Sequence, residues 1–267
     1  MIDLSEYRLD RKDDEFIFYS GKRQTGAIAQ SGSSSACSEY SCSIPLRLAT
    51  AGCSKAGVRT KIEDAVIPID LVKHDGRTML VLANSEGDPL DRFIGTPLEL
   101  RQFLRLAIGL STALDRLHER GLVHKDIKPS NVLINSATEQ VWLTGFGVAS
   151  RLLREHQAPE PPEFLAGTLP YMAPEQTGRM NRSIDSRSDL YAFGIMLYEM
   201  LTGDLPFSAS DPMEWVHCHV ARQPVLPSER LSGVPGSVSA IIMKLVAKTA
   251  ERSAPTSRLG RRLNTWT

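Results

Sequence analysis

Residues 124–131 read H-K-D-I-K-P-S-N, a polar loop that the chain places between two apolar frames. Upstream, Leu100, Phe103, Leu104, Ala107, Leu114 and Leu117 recur at helical spacing, with Arg101, Arg105, Asp115 and Arg116 off the stripe. That pattern predicts an amphipathic helix with one buried face. Gly121 stands where a C-terminal cap belongs. Downstream, V-L-I (132–134) and V-W-L (141–143) read as short strands around a polar turn. A helix before and a strand pair after therefore hold His124, Asp126, Lys128 and Asn131 at set spacing.

The remainder divides in two. E-F-I-F-Y-S, residues 15–20, reads as a first strand. Residues 27–57 are rich in Ser, Ala, Gly and Cys, follow neither period, and are expected to be loop or poorly ordered. Two apolar runs around Asp75-Gly76 predict a hairpin. N-S-E-G-D-P, residues 84–89, is a turn-rich connector. Residues 186–201 predict a helix with little polar face, closed by Gly203, and 211–221 and 238–249 predict two more. The expectation is α+β: a small strand-rich part over residues 1–83, then a larger helical part over 84–267 with an atypical end at 249–267.

Lys plus Arg and Asp plus Glu each number 31 in 267 residues, so the basic excess of a nucleic-acid binder is absent. The N-terminus is charged and lacks a signal-peptide core, and no run of apolar residues reaches membrane-spanning length. Cys37, Cys42, Cys53 and Cys218 fit no zinc spacing. These features point to a reduced, cytoplasmic location without a membrane span. His217-Cys218-His219 is expected to be a surface or packing feature, because on a helix the two histidines point apart by about 200°.

H-x-D-x-K-P-x-N in this setting resembles the catalytic loop of the eukaryotic-type (Hanks-type) protein kinases. G-T-L-P-Y-M-A-P-E (167–175), S-D-L-Y-A-F-G (188–194) and L-P-F (205–207) follow in the family's order. The resemblance implies a bilobal α+β kinase fold that uses ATP and Mg²⁺ to phosphorylate a protein hydroxyl. It assigns Asp126 to the substrate hydroxyl proton, Lys128 to the transferring phosphoryl oxygens, and Asn131 to nucleotide-bound Mg²⁺. A lysine two residues past the aspartate is the serine/threonine form. His124 would brace the loop. Glu175 would pair with a distant arginine, for which Arg252 is a candidate, and Asp189 would tie the large helix to the loop backbone. Residues 154–164 fall in the activation segment, where Ser150 and Thr168 are the nearby hydroxyls and Glu160 or Glu163 could face Lys125. Residues 171–191, with D-P-M-E-W-V-H-C-H at 211–219, further resemble the kinase-like module that begins large signalling proteins in which an ATPase and a sensor histidine kinase follow.

Three departures stand out. Lys125 replaces the usual arginine and loses its bidentate fork. Gly145, in L-T-G-F-G, replaces the metal-binding aspartate. No G-x-G-x-x-G-x-V precedes the hairpin, and no V-A-I-K-like strand lysine is present either; Lys55, Lys61 and Lys73 are candidates to replace it and Glu63 a candidate partner, and each also reads as a solvated charge. Adenine would meet backbone near Leu82, Ala83 and the connector. The intact Asp126-Lys128-Asn131 set favours a serine/threonine kinase acting on a protein substrate or a fused signalling enzyme. Gly145 and the missing loop favour a pseudokinase binding module, and the composition of 27–57 and of the Arg-rich end would suit a truncated, inactive copy.

Overall fold

The hairpin around Asp75-Gly76 is present as β4 (Pro68–His74) and β5 (Arg77–Ala83), with His74 opposite Arg77. The computed structural model describes residues 7–12, 16–22, 34–40, 68–74, 77–83, 87–151, 167–180 and 182–248. Chain packing divides it into two units, residues 1–87 and 88–267.

In the first unit, β1 (Tyr7–Lys12), β2 (Phe16–Lys22), β3 (Ser34–Tyr40), β5 and β4 form one antiparallel sheet in the order β1-β2-β3-β5-β4. Two expectations change here. The first strand is β1, ahead of the one read at 15–20, which runs on to Lys22. Part of the stretch expected to be loop is strand: β3 pairs with β2 on one side and β5 on the other. Two ladders satisfy its backbone, so pairing outweighs a composition poor in strand formers. The rest of 27–57 lies outside the described residues, as do Lys55, Lys61, Glu63, 152–166 and 249–267.

The second unit begins with β6 (Asp88–Pro89), which joins β8 (Val132–Ile134) and β9 (Val141–Leu143) in a three-stranded sheet. The expected stripe forms α1 (Leu100–Glu119), with Phe103, Leu104, Ala107, Leu110, Leu114 and Leu117 buried. Glu99 caps it by accepting from the N–H of Gln102. β7 (Leu122–Val123) pairs with β10 (Ser150–Arg151). The apolar α2 (Ser186–Thr202) is buried nearly all round, and Gly203, at φ 82°, ends it. α3 (Pro212–Val220) is capped by Asp211, which accepts from Met213 and Glu214 N–H groups. A short α4 (Pro227–Arg230) follows. The last helix, expected over 238–249, is α5 (Gly236–Leu245). It stops early, and Lys248 beyond it turns its ammonium onto the Cys218 carbonyl and the Tyr191 hydroxyl. α5 packs so closely on α2 that a Cβ on Gly194 would lie 2.6 Å from Leu245 Cβ.

Candidate active site

The polar loop runs from β7 to β8 and is held from beneath by α2. Asp189, in the first turn of α2 and 1% exposed, uses both carboxylate oxygens. Oδ2 accepts from the backbone N–H of His124 at 2.8 Å and lies 2.8 Å from His118 Nε2; Oδ1 accepts from the N–H of Lys125 at 2.7 Å. Lys125 is left-handed, with φ 69°, a costly conformation for a long side chain. The Asp189 bond at its N–H and the Gln176 amide donating to its carbonyl at 2.7 Å hold that peptide in place. His124 is wholly buried, its ring 4.8 Å from that of Phe146. Its Nε2 faces the Thr144 carbonyl at 2.7 Å, which only accepts, so Nε2 carries the proton. Nδ1 then accepts from the N–H of Asp126 at 3.3 Å.

These braces present Asp126, Lys128 and Asn131 as one cluster. Asp126 is 7% exposed. Its Oδ1 accepts from the N–H and hydroxyl of Thr168, at 3.0 and 2.8 Å. Its Oδ2 accepts from Asn131 Nδ2 at 2.9 Å and lies 3.1 Å from Lys128 Nζ. Lys128 also donates to the Thr168 hydroxyl at 2.7 Å, so that hydroxyl bridges base and cation. Asn131 Nδ2 donates in addition to the Asp126 carbonyl at 2.8 Å. Thr168 was read from sequence only as a hydroxyl of the activation segment; its place in the cluster was missed. The Gly-Thr pair heading G-T-L-P-Y-M-A-P-E was the signal that could have found it.

Gly145 is left-handed, at φ 75° and ψ 34°. A Cβ there would overlap the Asn131 carboxamide. The side chain of Asn131 therefore occupies room that any other residue at 145 would need. For Mg²⁺ this leaves a thin donor set. Asn131 Oδ1 is one uncharged oxygen, both Asp126 oxygens are engaged, Gly145 offers nothing, and the described residues contain no group of three or more metal-ligating side chains. The described residues do not fit a protein-held Mg²⁺, which takes one or two carboxylates.

Other assigned residues are placed as follows. Glu175, 7% exposed, accepts from the Ser188 hydroxyl at 2.6 Å; Arg252 lies outside the described residues, as do Glu160 and Glu163. Leu82 and Ala83 sit in β5, opposite Ala36 and Ser35 of β3, and Lys73 sits in β4. In α3, His217 is exposed while Cys218 and His219 are buried. The turn after Thr168 has two further anchors. The Tyr171 hydroxyl donates to Glu199 at 2.6 Å, and the Leu169 carbonyl faces His219 Nε2 at 2.8 Å. Burial, ahead of Asp204, pushes the Glu199 carboxyl up from its ordinary value, against the Tyr171 bond; burial and Glu199 push the Tyr171 phenol up.

The protein kinase domain family matches residues 59–262. The chain is 32% identical over 183 residues to the serine/threonine-protein kinase PknB of Mycobacterium leprae, covering 68% of this chain and 27% of that protein. It is 33% identical over 192 residues to Pkn1 of Myxococcus xanthus, covering 71% and 27%. To PksC of Streptomyces coelicolor it is 33% identical over 191 residues, covering 68% and 34%. The chain thus spans well under half the length of these relatives. With the loop, the Gly-Thr turn and the buried Asp189 in one α+β frame, the chain belongs to the protein kinase domain family.

Proposed function

We propose that this chain is the catalytic part of a serine/threonine protein kinase that transfers the terminal phosphoryl group of ATP to a protein hydroxyl. The observation that carries the reading is the Asp126 cluster. A buried carboxylate is aimed by three hydrogen bonds, with a lysine ammonium 3.1 Å away. Phosphoryl transfer needs little covalent help; it needs a positioned hydroxyl and compensation of phosphoryl charge. Asp126 orients the incoming hydroxyl and takes its proton. Lys128, held on Thr168, places its charge beside the oxygens of the group in flight. Protein kinases use ATP with Mg²⁺; the described residues here offer the ion one uncharged oxygen, so the chain's own contribution is the aim of Asp126 and the charge of Lys128. Leu82 and Ala83 are read as backbone contacts for adenine. The partner is a protein substrate, within or beside a larger signalling protein. No nucleic acid enters this reading, and among the described residues no helix is long and apolar enough to cross a membrane.

The test is transfer of labelled phosphate from ATP to the chain itself and to a generic basic protein, across Mg²⁺ and Mn²⁺ concentrations. Asp126→Asn keeps the side chain's volume and should lower the rate roughly 10²–10⁴-fold while the protein stays folded. A folded wild type that binds ATP and transfers nothing under any of these conditions would overturn the reading in favour of a binding module.

A further inference from the structure

A file of buried and half-buried polar groups runs from beyond α5 to the turn that carries Thr168. Lys248 Nζ donates to the Cys218 carbonyl at 3.0 Å and to the Tyr191 hydroxyl at 3.1 Å. The Tyr191 oxygen lies 3.0 Å from Nδ1 of His219, and Nε2 of His219 lies 2.8 Å from the Leu169 carbonyl. The direction of each bond follows from the ends. A carbonyl only accepts, so Nε2 carries the proton and Nδ1 is the acceptor. Tyr191 therefore donates to Nδ1, and its oxygen accepts from Lys248. Burial, ahead of the nearby Lys248 charge and against the Leu169 bond, lowers the His219 pKa to about 4, in keeping with that neutral ring.

The file is held sideways as well as end to end. The His219 ring stacks on Trp215 with 5.9 Å between centroids and meets the edge of Phe207 at 5.7 Å. The Lys248 ammonium sits 4.5 Å from the centre of the Phe207 ring, a favourable seat for a cation. At the other end, the Leu169 carbonyl begins the turn of Leu169–Tyr171. Its bond within that turn, from the N–H of Met172, is 3.3 Å long, against 2.8 Å for His219. Pro170 follows and has no N–H with which to steady the turn. One residue before Leu169 is Thr168, which sets both contacts on Asp126 Oδ1 and receives Lys128.

We propose that Lys248, Tyr191 and His219 are positioning residues for phosphoryl transfer: they hold the Leu169 carbonyl, and through it Thr168, where Thr168 aims Asp126 and Lys128. The proposal rests on the reading of Asp126 as the group that receives the substrate's proton. None of the three touches the reacting atoms. All three act through one peptide.

The test uses the whole chain and two kinds of readout. Tyr191→Phe removes one hydroxyl and keeps the ring. The Thr168 amide should then exchange its hydrogen roughly 10-fold faster than the change in global stability accounts for, since both bonds that the hydroxyl makes in the file are lost. In the same variant kcat should fall roughly 10-fold with KM for ATP unchanged, and should not fall further when Thr168→Ala is already present. Lys248→Met, which keeps an apolar stem on Phe207, should shift both readouts the same way and serves if Tyr191→Phe does not fold. A folded variant whose Thr168 amide protection and kcat both match wild type overturns the proposal. Absence of transfer in wild type overturns the kinase reading instead, and the amide measurement then decides by itself whether the file holds Thr168.

Discussion

Gly145 is the position where a substitution can be worked through most fully. Gly145→Ala adds one methyl group at φ 75°, in a space already filled by the Asn131 carboxamide. Left-handed backbone costs an alanine about 1 kcal/mol more than a glycine. Asn131 must also move. Its Nδ2 leaves the Asp126 carbonyl and Oδ2, now at 2.8 and 2.9 Å. Leaving those buried acceptors short of a donor costs about 1–3 kcal/mol. The sum is about 2–4 kcal/mol, a fall in melting temperature of roughly 5–15 °C for a chain of this size. In an Asn131→Ala background the obstacle is gone, and the same substitution should cost only the backbone strain, about 1 kcal/mol. Urea melts of the four proteins in this cycle should therefore give a coupling of about 1–3 kcal/mol. Equal costs in both backgrounds would refute the argument, because Asn131 would then not occupy the space beside Gly145. Gly145→Asp meets the same obstacle: the carboxylate gained there displaces the Asn131 carboxamide.

Asp189→Ala should lower stability by about 3 kcal/mol or more, since it removes the carboxylate that two loop N–H groups and the His118 ring share; a melting temperature within about 2 °C of wild type would count against the brace. His219 has a folded pKa of about 4 against an ordinary 6.5, so the unfolded chain binds more protons between those values. Its contribution is complete above pH 6.5 and is lost as pH falls towards 4, a loss of about 3 kcal/mol that denaturant melts should show and that His219→Gln should abolish. Gly194→Ala forces α2 from α5 and should cost about 1–3 kcal/mol despite better helix propensity, whereas Gly236→Ala, with no atom within 4 Å, should be neutral or stabilising; matching melts for the two would contradict the close contact.

Local signals were legible in the chain itself. The stripe of α1, the apolar α2 with Gly203 behind it, and the β4–β5 pair each declare themselves within a few residues, because period and caps are short-range properties. The spacing of His124, Asp126, Lys128 and Asn131 also announced which family of sites to look for. What joins distant segments was not legible. Strand β3 exists through its pairing with β2 and β5, against its own composition. Asp189 takes its partners from 64 to 71 residues away, and Thr168 reaches Asp126 from 42 residues away. His219 meets Leu169 across 50 residues, where the H-C-H triplet alone suggested only a surface or packing feature. Asn131 filling the space beside Gly145 depends on which rotamer the packed loop permits. Such contacts are chosen when buried donors and acceptors must find partners in a nearly dry interior, and which partners lie within 3 Å is settled by the packing of helices and turns, a property of the folded chain that no short window of sequence contains.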